Sequence, residues 1–265
     1  MIKRIKSSIR ALFFRYTVFR TVLGLLSIAV GRTKTLGINH LLSYEEEDAA
    51  GPIQRDEAIA IFGLIRTLRP NTIVEFGFFT GHSSFNFLRA LGKTGRIYSY
   101  DVLDECLRRA RTELAFADQF TFVHKSQNEF HHSDIDFRPI DFVFFDGAHD
   151  LQINIETFQR IRPHLTEQAI IAIHDTGLWL RDHIRKPQSE LMEREPSPLK
   201  GCWITNDLYS CAIDERKFVN WLISEYDEYG AIHLHSTNTL RHGISLVQKQ
   251  LTLQTDPNKS MNGRG

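Results

Sequence analysis

The stretch from Thr72 to Asp101 constrains the fold more than any other part of this 265-residue chain. The apolar run from Thr72 to Phe76, bounded by Pro70 and Gly77, has the composition of a strand buried on both faces, as in a parallel sheet. Gly77 ends it. Between Gly77 and Gly81 the chain turns sharply and lets a ligand approach its backbone, which glycine allows because it lacks a Cβ and accepts positive φ. Ser83 and Ser84 open a helix, with Leu88 and Leu91 following at helical spacing, so backbone N–H groups and small hydroxyls face the turn. Gly92 to Gly95 then leads into a second apolar run, 96–101. Asp101 falls twenty residues after Gly81, where a carboxylate at a strand tip can accept hydrogen bonds from ribose hydroxyls. These residues describe a nucleotide-type cofactor site, although such short glycine motifs also occur in an ordinary strand, turn and helix. Phe78 and Phe79 fill the loop, and only two glycines remain where a dinucleotide site has three, which argues against NAD.

A second block repeats the pattern. Residues 140–145 and 169–173 are apolar strands that run into Asp146, His149 and Asp150 in one case and His174, Asp175 and Thr176 in the other. Leu151, Ile155, Phe158, Ile161 and Leu165 recur between them at helical intervals. Both polar clusters therefore lie at the carboxyl end of a parallel sheet, where open α/β sheets bind ligands. Asp146, His174 and Asp175 offer two hard oxygen donors and one imidazole, half of an octahedral site for Mg²⁺ or a similar divalent ion. His149 has the chemistry to take a proton from an acceptor hydroxyl. Other readings of the same residues stand beside this one. Asp146 can cap the helix that begins near Asp150, and His174 with Asp175 can form a local turn. His149, His174 and either aspartate can also make the facial triad of a ferrous enzyme.

With both blocks in view, residues from about Glu75 to Thr176, and more weakly on to Lys249, resemble the class I S-adenosylmethionine-dependent methyltransferases. The resemblance is carried by Glu75-Phe-Gly77-Phe-Phe-Thr-Gly81, by Asp101 at the next strand end, and by the blocks closing on Asp146 and His174. Phe79 stands where the general pattern has its central glycine, a replacement that resembles the macrocin-type sugar O-methyltransferases. The resemblance implies an α/β fold: a Rossmann-like, doubly wound, mostly parallel seven-stranded sheet with an antiparallel C-terminal hairpin. It implies that Glu75 belongs to the cofactor site, that Gly77, Thr80, Gly81 and Ser83 line the methionine part of S-adenosylmethionine, and that Asp101 holds its ribose. Ser126, in the loop after the strand 120–123, would contact the adenine. It further implies a divalent metal on Asp146, His174 and Asp175 that holds two neighbouring acceptor hydroxyls, with His149 as the base. The activity implied is methyl transfer to oxygen on a small-molecule acceptor, a sugar or glycan precursor. Two other classes remain open: an iron-dependent hydroxylase-like enzyme on the same scaffold, and a non-catalytic, membrane-associated protein that keeps the pocket for binding.

Composition agrees with one enzyme domain over residues 45–249. At 42% hydrophobic and zero formal net charge, the chain can bury one substantial core and has no global attraction to nucleic acid. Cys106, Cys202 and Cys211 are odd in number and lack metal-ligand spacing, which suits reduced thiols and a cytoplasmic location.

Residues 1–44 break the balance. They carry Lys3, Arg4, Lys6, Arg10 and four further basic residues with no acidic one, and the acidic run 45–48 follows at once. Leu12, Phe13, Phe14, Val22 and Leu23 make the segment apolar as well. Its longest uncharged run, Thr21 to Gly31, is too short to span a bilayer. Such a segment, within residues 1–34, can lie on an anionic membrane surface. It can equally pack on its own domain or on a second copy in a homo-oligomer. Scattered charges and the lack of a cleavage site argue against a secretory signal.

Upstream of the first strand, the spacing predicts a helix over 56–68 with Ile59, Phe62, Ile65 and Leu68 on its buried face. Downstream, residues 178–201 read as a polar excursion that could form an acceptor lid. Residues 217–229 read as a helix, 233–240 and 243–247 as closing strands, and 250–265 as a disordered tail. His233, His235 and His242 read as strand or turn residues.

Overall fold

The computed structural model describes residue 53 and residues 55–91, 94–114, 117–176, 178–180, 204–205, 208–210, 213–234 and 243–250. The N-terminal segment, most of the expected lid, His235, His242 and nearly all of the tail lie outside these residues.

The chain enters through helix α1 (Arg55–Leu68), then alternates strands and helices: β1 (Thr72–Phe76), α2 (His82–Ala90), β2 (Arg96–Asp101), α3 (Asp104–Glu113), β3 (Phe120–His124), β4 (Ile140–Phe145), α4 (Leu151–Ile161) and β5 (Leu165–Ile173). Three short strands, β6 (Leu178–Leu180), β7 (Ile204–Thr205) and β8 (Leu208–Ser210), make a small antiparallel sheet of their own. Helix α5 (Ile213–Glu225) and strands β9 (Tyr229–Leu234) and β10 (Ile244–Lys249) complete the domain. The main sheet has seven strands in the order β3-β2-β1-β4-β5-β10-β9. Strands β1 to β5 are parallel, whereas β10 runs antiparallel between β5 and β9. This is the doubly wound α/β architecture expected from the sequence, closing hairpin included.

Strand parity decides where every side chain goes, because successive residues point to opposite faces. Ile73, Ile97, Phe142, Phe144, Ile170 and Ala172 meet α1 and α2 on one face. Val74, Phe76, Tyr98, Tyr100, Val143, Phe145, Ile171 and Ile173 meet α4 and α5 on the other, around Phe158 and Phe218. Both faces are covered, so the strands read as continuous apolar runs rather than as alternating ones.

The facing of α1 and the starts of α5 and β9 depart from expectation, whereas His233 does not. Helix α1 buries Ala58, Ile61, Phe62 and Ile65, while Ile59 and Leu68 are exposed. The helix is turned so that Glu57, not Ile59, enters the core. Helix α5 begins at Ile213 rather than 217, and β9 occupies 229–234, because Tyr229 packs into the core against Phe158 and Tyr226. His233, on β9, hydrogen-bonds Ser245 as an ordinary strand residue.

Candidate active site

The cavity lies at the carboxyl ends of β1, β2 and β4, where the strand order reverses on either side of β1. Its volume is about 590 Å³, and Gly77, Asp101, Ser126, Asp146, His149 and Asp175 are in its wall. Strand ladders continue one residue past the strands and fix this wall. Gly77 N–H donates to Tyr100 O at 2.9 Å, Asp146 N–H to Phe76 O at 2.8 Å, and His174 N–H to Phe145 O at 2.9 Å.

Gly77 has φ +101°, and a Cβ placed there would sit 2.1 Å from the backbone oxygen of Asp146. Only glycine fits this crossing of β1 and β4. Gly81, at φ +76°, would drive a Cβ to 2.7 Å from the Phe78 ring. Phe78 itself is buried against Phe120 and Phe122. Phe79 points outward at the cavity. The two phenylalanines that occupy the loop thus have separate jobs, one anchoring it and one lining the site.

Asp101 grips the loop from below. Its Oδ2 accepts from Phe78 N (3.1 Å) and Phe79 N (3.0 Å), and its Oδ1 from Leu103 N (3.0 Å). Each carboxylate oxygen has two lone pairs, so Oδ2 is fully engaged and the remaining acceptor capacity is on Oδ1. Ser126 lies across from it, where it caps a short 3-10 turn with Glu129.

Glu75 lies behind the loop rather than in the cavity wall. By parity it faces α2, where it accepts from Ser84 and, at 2.5 Å, from Ser99. Burial pushes its carboxyl up to about 7 despite the nearby hydroxyls of Ser83, Ser84 and Ser99. Glu75 Oε1 and Thr80 Oγ1 are buried without a hydrogen-bond partner. Thr80, Gly81 and Ser83 are likewise not among the residues that line the cavity.

Beside Gly77, at the ends of β4 and β5, the wall holds the acids and imidazoles. His174 is buried among three carboxylates: Nδ1 lies 3.0 Å from Asp146 Oδ1 and 3.3 Å from Asp175 Oδ1, and Nε2 lies 2.9 Å from Glu57 Oε2. Burial alone would depress the imidazole, but Asp146, Glu57 and Asp175 override it and hold His174 well above its ordinary range. Asp146 is pushed up by burial, against the pull of His174. Asp175 has φ +56°, a strained conformation for a residue with a Cβ. One ligand atom each from Asp146, His174 and Asp175 lies within 4.8 Å of the others. Three carboxylates around one imidazole leave excess negative charge in a buried place, and hard oxygens with one imidazole suit Mg²⁺ or Mn²⁺. The donor set fits a divalent ion.

His149 stands apart from that group. Its Nδ1 is hydrogen-bonded to Glu215 of α5, whose carboxyl is raised by burial, with His149 pulling it back. Asp146 does not cap α4, because Asp150 does, accepting from Ile153 N at 2.9 Å. Glu57 and Glu215 went unnoticed in the sequence. The only available signal was an acid in the first turn of each helix, and a solvated face explains such a residue equally well.

Residues 74–176 match the family model of a methyltransferase domain. No curated protein sequence matches the chain. Its fold is similar to that of an O-methyltransferase from Bacillus cereus bound to S-adenosylhomocysteine (16% identity, 86% of this chain and 97% of that one, TM-score 0.52). It is also similar to the O-methyltransferase TomG from Streptomyces achromogenes, in complex with S-adenosylmethionine and involved in tomaymycin synthesis (17%, 76% and 82%, TM-score 0.51). A third likeness is the methyltransferase PaMTH1 from Podospora anserina, bound to S-adenosylhomocysteine (14%, 76% and 80%, TM-score 0.53). The chain has the α/β methyltransferase fold, and the matched segment runs from β1 to the end of the His174 cluster.

Proposed function

We propose that the protein is an S-adenosylmethionine-dependent methyltransferase that acts on an oxygen of a small hydroxylated acceptor, of sugar type, with a divalent metal assisting. One observation carries this reading: a single cavity has a glycine loop and strand-end Asp101 in its wall and, beside them, Asp146, His149, His174 and Asp175. The first set suits a nucleoside, and the second suits a hydroxyl that must lose its proton. The similar structures with S-adenosylmethionine or S-adenosylhomocysteine bound support the cofactor, and their O-methyltransferase names support the choice of oxygen.

Asp101 would receive the ribose hydroxyls, and the Gly77–Gly81 loop would pack against the methionine part. Ser126 would stand at the adenine. The cofactor supplies a methyl group on a sulfonium sulfur, an electrophile that requires no further activation. Asp146, His174 and Asp175 would hold the metal, whose Lewis acidity favours the ionised form of an acceptor hydroxyl. His149 takes the hydroxyl proton while the new O–C bond forms and the S–C bond breaks, leaving a methyl ether and S-adenosylhomocysteine. Glu215 fixes the ring of His149 through Nδ1, so Nε2 is the nitrogen that accepts. Alignment of the two reactants in one cavity is the larger part of what the protein contributes.

Calorimetric titration with S-adenosylmethionine and separately with NAD, each with and without Mg²⁺, tests the cofactor. Micromolar binding of S-adenosylmethionine that Asp101→Ala loses is the expected result. Binding of NAD alone, or of neither, would remove the transferase reading.

The basic, apolar segment 1–34 is proposed as a peripheral membrane contact. Among the described residues no helix is long and apolar enough to cross a membrane. Co-sedimentation with anionic liposomes that truncation of residues 1–34 abolishes is the expected result; equal sedimentation of the truncated protein would end that proposal.

A further inference from the structure

Glu57 is a buried carboxylate on the otherwise apolar inner face of α1, and both of its oxygens are used. Oε1 accepts from the backbone N–H of Gly243 at 2.7 Å, at the start of β10. Oε2 receives Nε2 of His174 at 2.9 Å, across 117 residues of sequence. A carboxylate can only accept, so Nε2 carries the proton of that bond. The other ring nitrogen, Nδ1, faces two further carboxylates, Asp146 and Asp175, and so also carries a proton when no metal is bound; it is the nitrogen whose proton a metal on those carboxylates would displace.

We propose that Glu57 is the positioning residue of the metal centre: it fixes His174 in the tautomer that leaves Nδ1 as the ligand nitrogen, and it ties that ring to helix α1 and strand β10. The inference rests on the metal reading given above. Histidine ligands commonly donate their second N–H to a carboxylate that sets both tautomer and ring orientation. Here parity supplies the arrangement, since Asp146 and His174 continue the strand positions that face α1, and α1 presents Glu57 to them. The strand ends bring the ligands, and the helix decides which nitrogen faces them.

Glu57→Gln discriminates between positioning and mere packing because its volume is nearly unchanged. Glutamine has one acceptor oxygen. If that oxygen keeps the Gly243 N–H, the amide NH₂ faces Nε2 and forces it to accept, which places the proton on Nδ1 and blocks ligation. If instead it faces His174, Gly243 loses its partner and β10 starts unanchored. Either outcome weakens the centre.

The experiment is calorimetric titration of the full chain with MnCl₂, wild type against Glu57→Gln, with S-adenosylmethionine affinity measured alongside. The expected result is a loss of about 10- to 100-fold in Mn²⁺ affinity, with cofactor affinity within about twofold of wild type. Equal Mn²⁺ affinity in the two proteins would overturn the role of Glu57 and leave the metal reading standing. No Mn²⁺ binding by wild type would overturn both. Should the variant fail to fold, wild-type protein with nitrogen-labelled histidine, loaded with spin-half cadmium, decides the matter. Coupling of the metal to Nδ1 of His174 is expected, and coupling to Nε2 or to neither nitrogen would overturn the proposal.

Discussion

The imidazole of His149, in the loop after β4, is hydrogen-bonded through Nδ1 to the carboxylate of Glu215, buried in the first turn of α5 and 66 residues away in sequence. A base held by a buried acid has a fixed tautomer and a fixed direction, which is the arrangement that proton abstraction requires. Replacement of His149 by Ala is expected to lower methyl transfer about 10²- to 10⁴-fold, read as S-adenosylhomocysteine release with vicinal diol acceptors. Cofactor affinity should not change. Glu215→Gln, which keeps the volume and can still accept from Nδ1–H, should lose less than Glu215→Ala; equal losses in the two would mean that the negative charge, and neither packing nor the acceptor that orients the ring, is what Glu215 provides.

Asp101 serves the glycine loop and the cavity at once. Removal of its carboxylate leaves the amides of Phe78, Phe79 and Leu103 without their acceptor. Asp101→Ala should therefore weaken S-adenosylmethionine binding by about 10- to 100-fold, or roughly 1.4 to 2.8 kcal/mol. Asp101→Asn, which keeps one acceptor oxygen, should fall between wild type and Ala. Calorimetry on the three proteins orders them, and an Asn variant indistinguishable from wild type would show that the ribose does not depend on the charge.

Two glycines give opposite expectations. Gly77→Ala forces a Cβ onto the Asp146 backbone at a positive φ and should cost about 3 kcal/mol or more. Gly63 lies within α1, and a Cβ there meets nothing within 4 Å. Gly63→Ala should stabilise by about 0.5 to 1 kcal/mol through helix propensity. Urea denaturation of both variants checks the pair.

Glu75 makes stability depend on pH. Its carboxyl is raised from 4.5 to about 7 by burial, so between these values the folded protein binds more protons than the unfolded chain. The stabilisation by the protonated form is complete below about pH 4.5 and is lost as pH rises through about 7, an effect of at most ~3 kcal/mol. Glu75→Gln should flatten this part of the stability profile and raise the melting temperature at pH 8. A profile identical to wild type between pH 5 and 8 would show that another group is responsible.

Much of the fold was legible because both faces of the sheet are covered. Continuous apolar runs at 72–76, 140–145 and 169–173 with glycine or strand-end acids after them leave little choice but parallel strands in a doubly wound domain. The rotation of α1 was not legible. Ile59 and Ile61 are equally apolar, and only the position of the sheet beneath the helix decides that Ile61 is buried and Ile59 exposed. The start of β9 was missed for a related reason: Tyr229 looks like a helix residue until the ring of Phe158 is placed beside it.

The sequence by itself determined the order of the main-sheet strands, the two glycines of the loop, and the appearance of Asp101, Asp146, His149, His174 and Asp175 at strand ends, but not helix α3 or the small sheet of β6, β7 and β8. These follow from local chemistry, since period, turn residues and strand ends are all written within a few positions of one another. Only the tertiary structure decided which groups meet. Glu57 reaches His174 across 117 residues and Glu215 reaches His149 across 66, while Glu75 turns away from the cavity to Ser84 and Ser99. Such pairings depend on how helices sit on a twisted sheet, a property of the whole packed core that no short stretch of the chain contains.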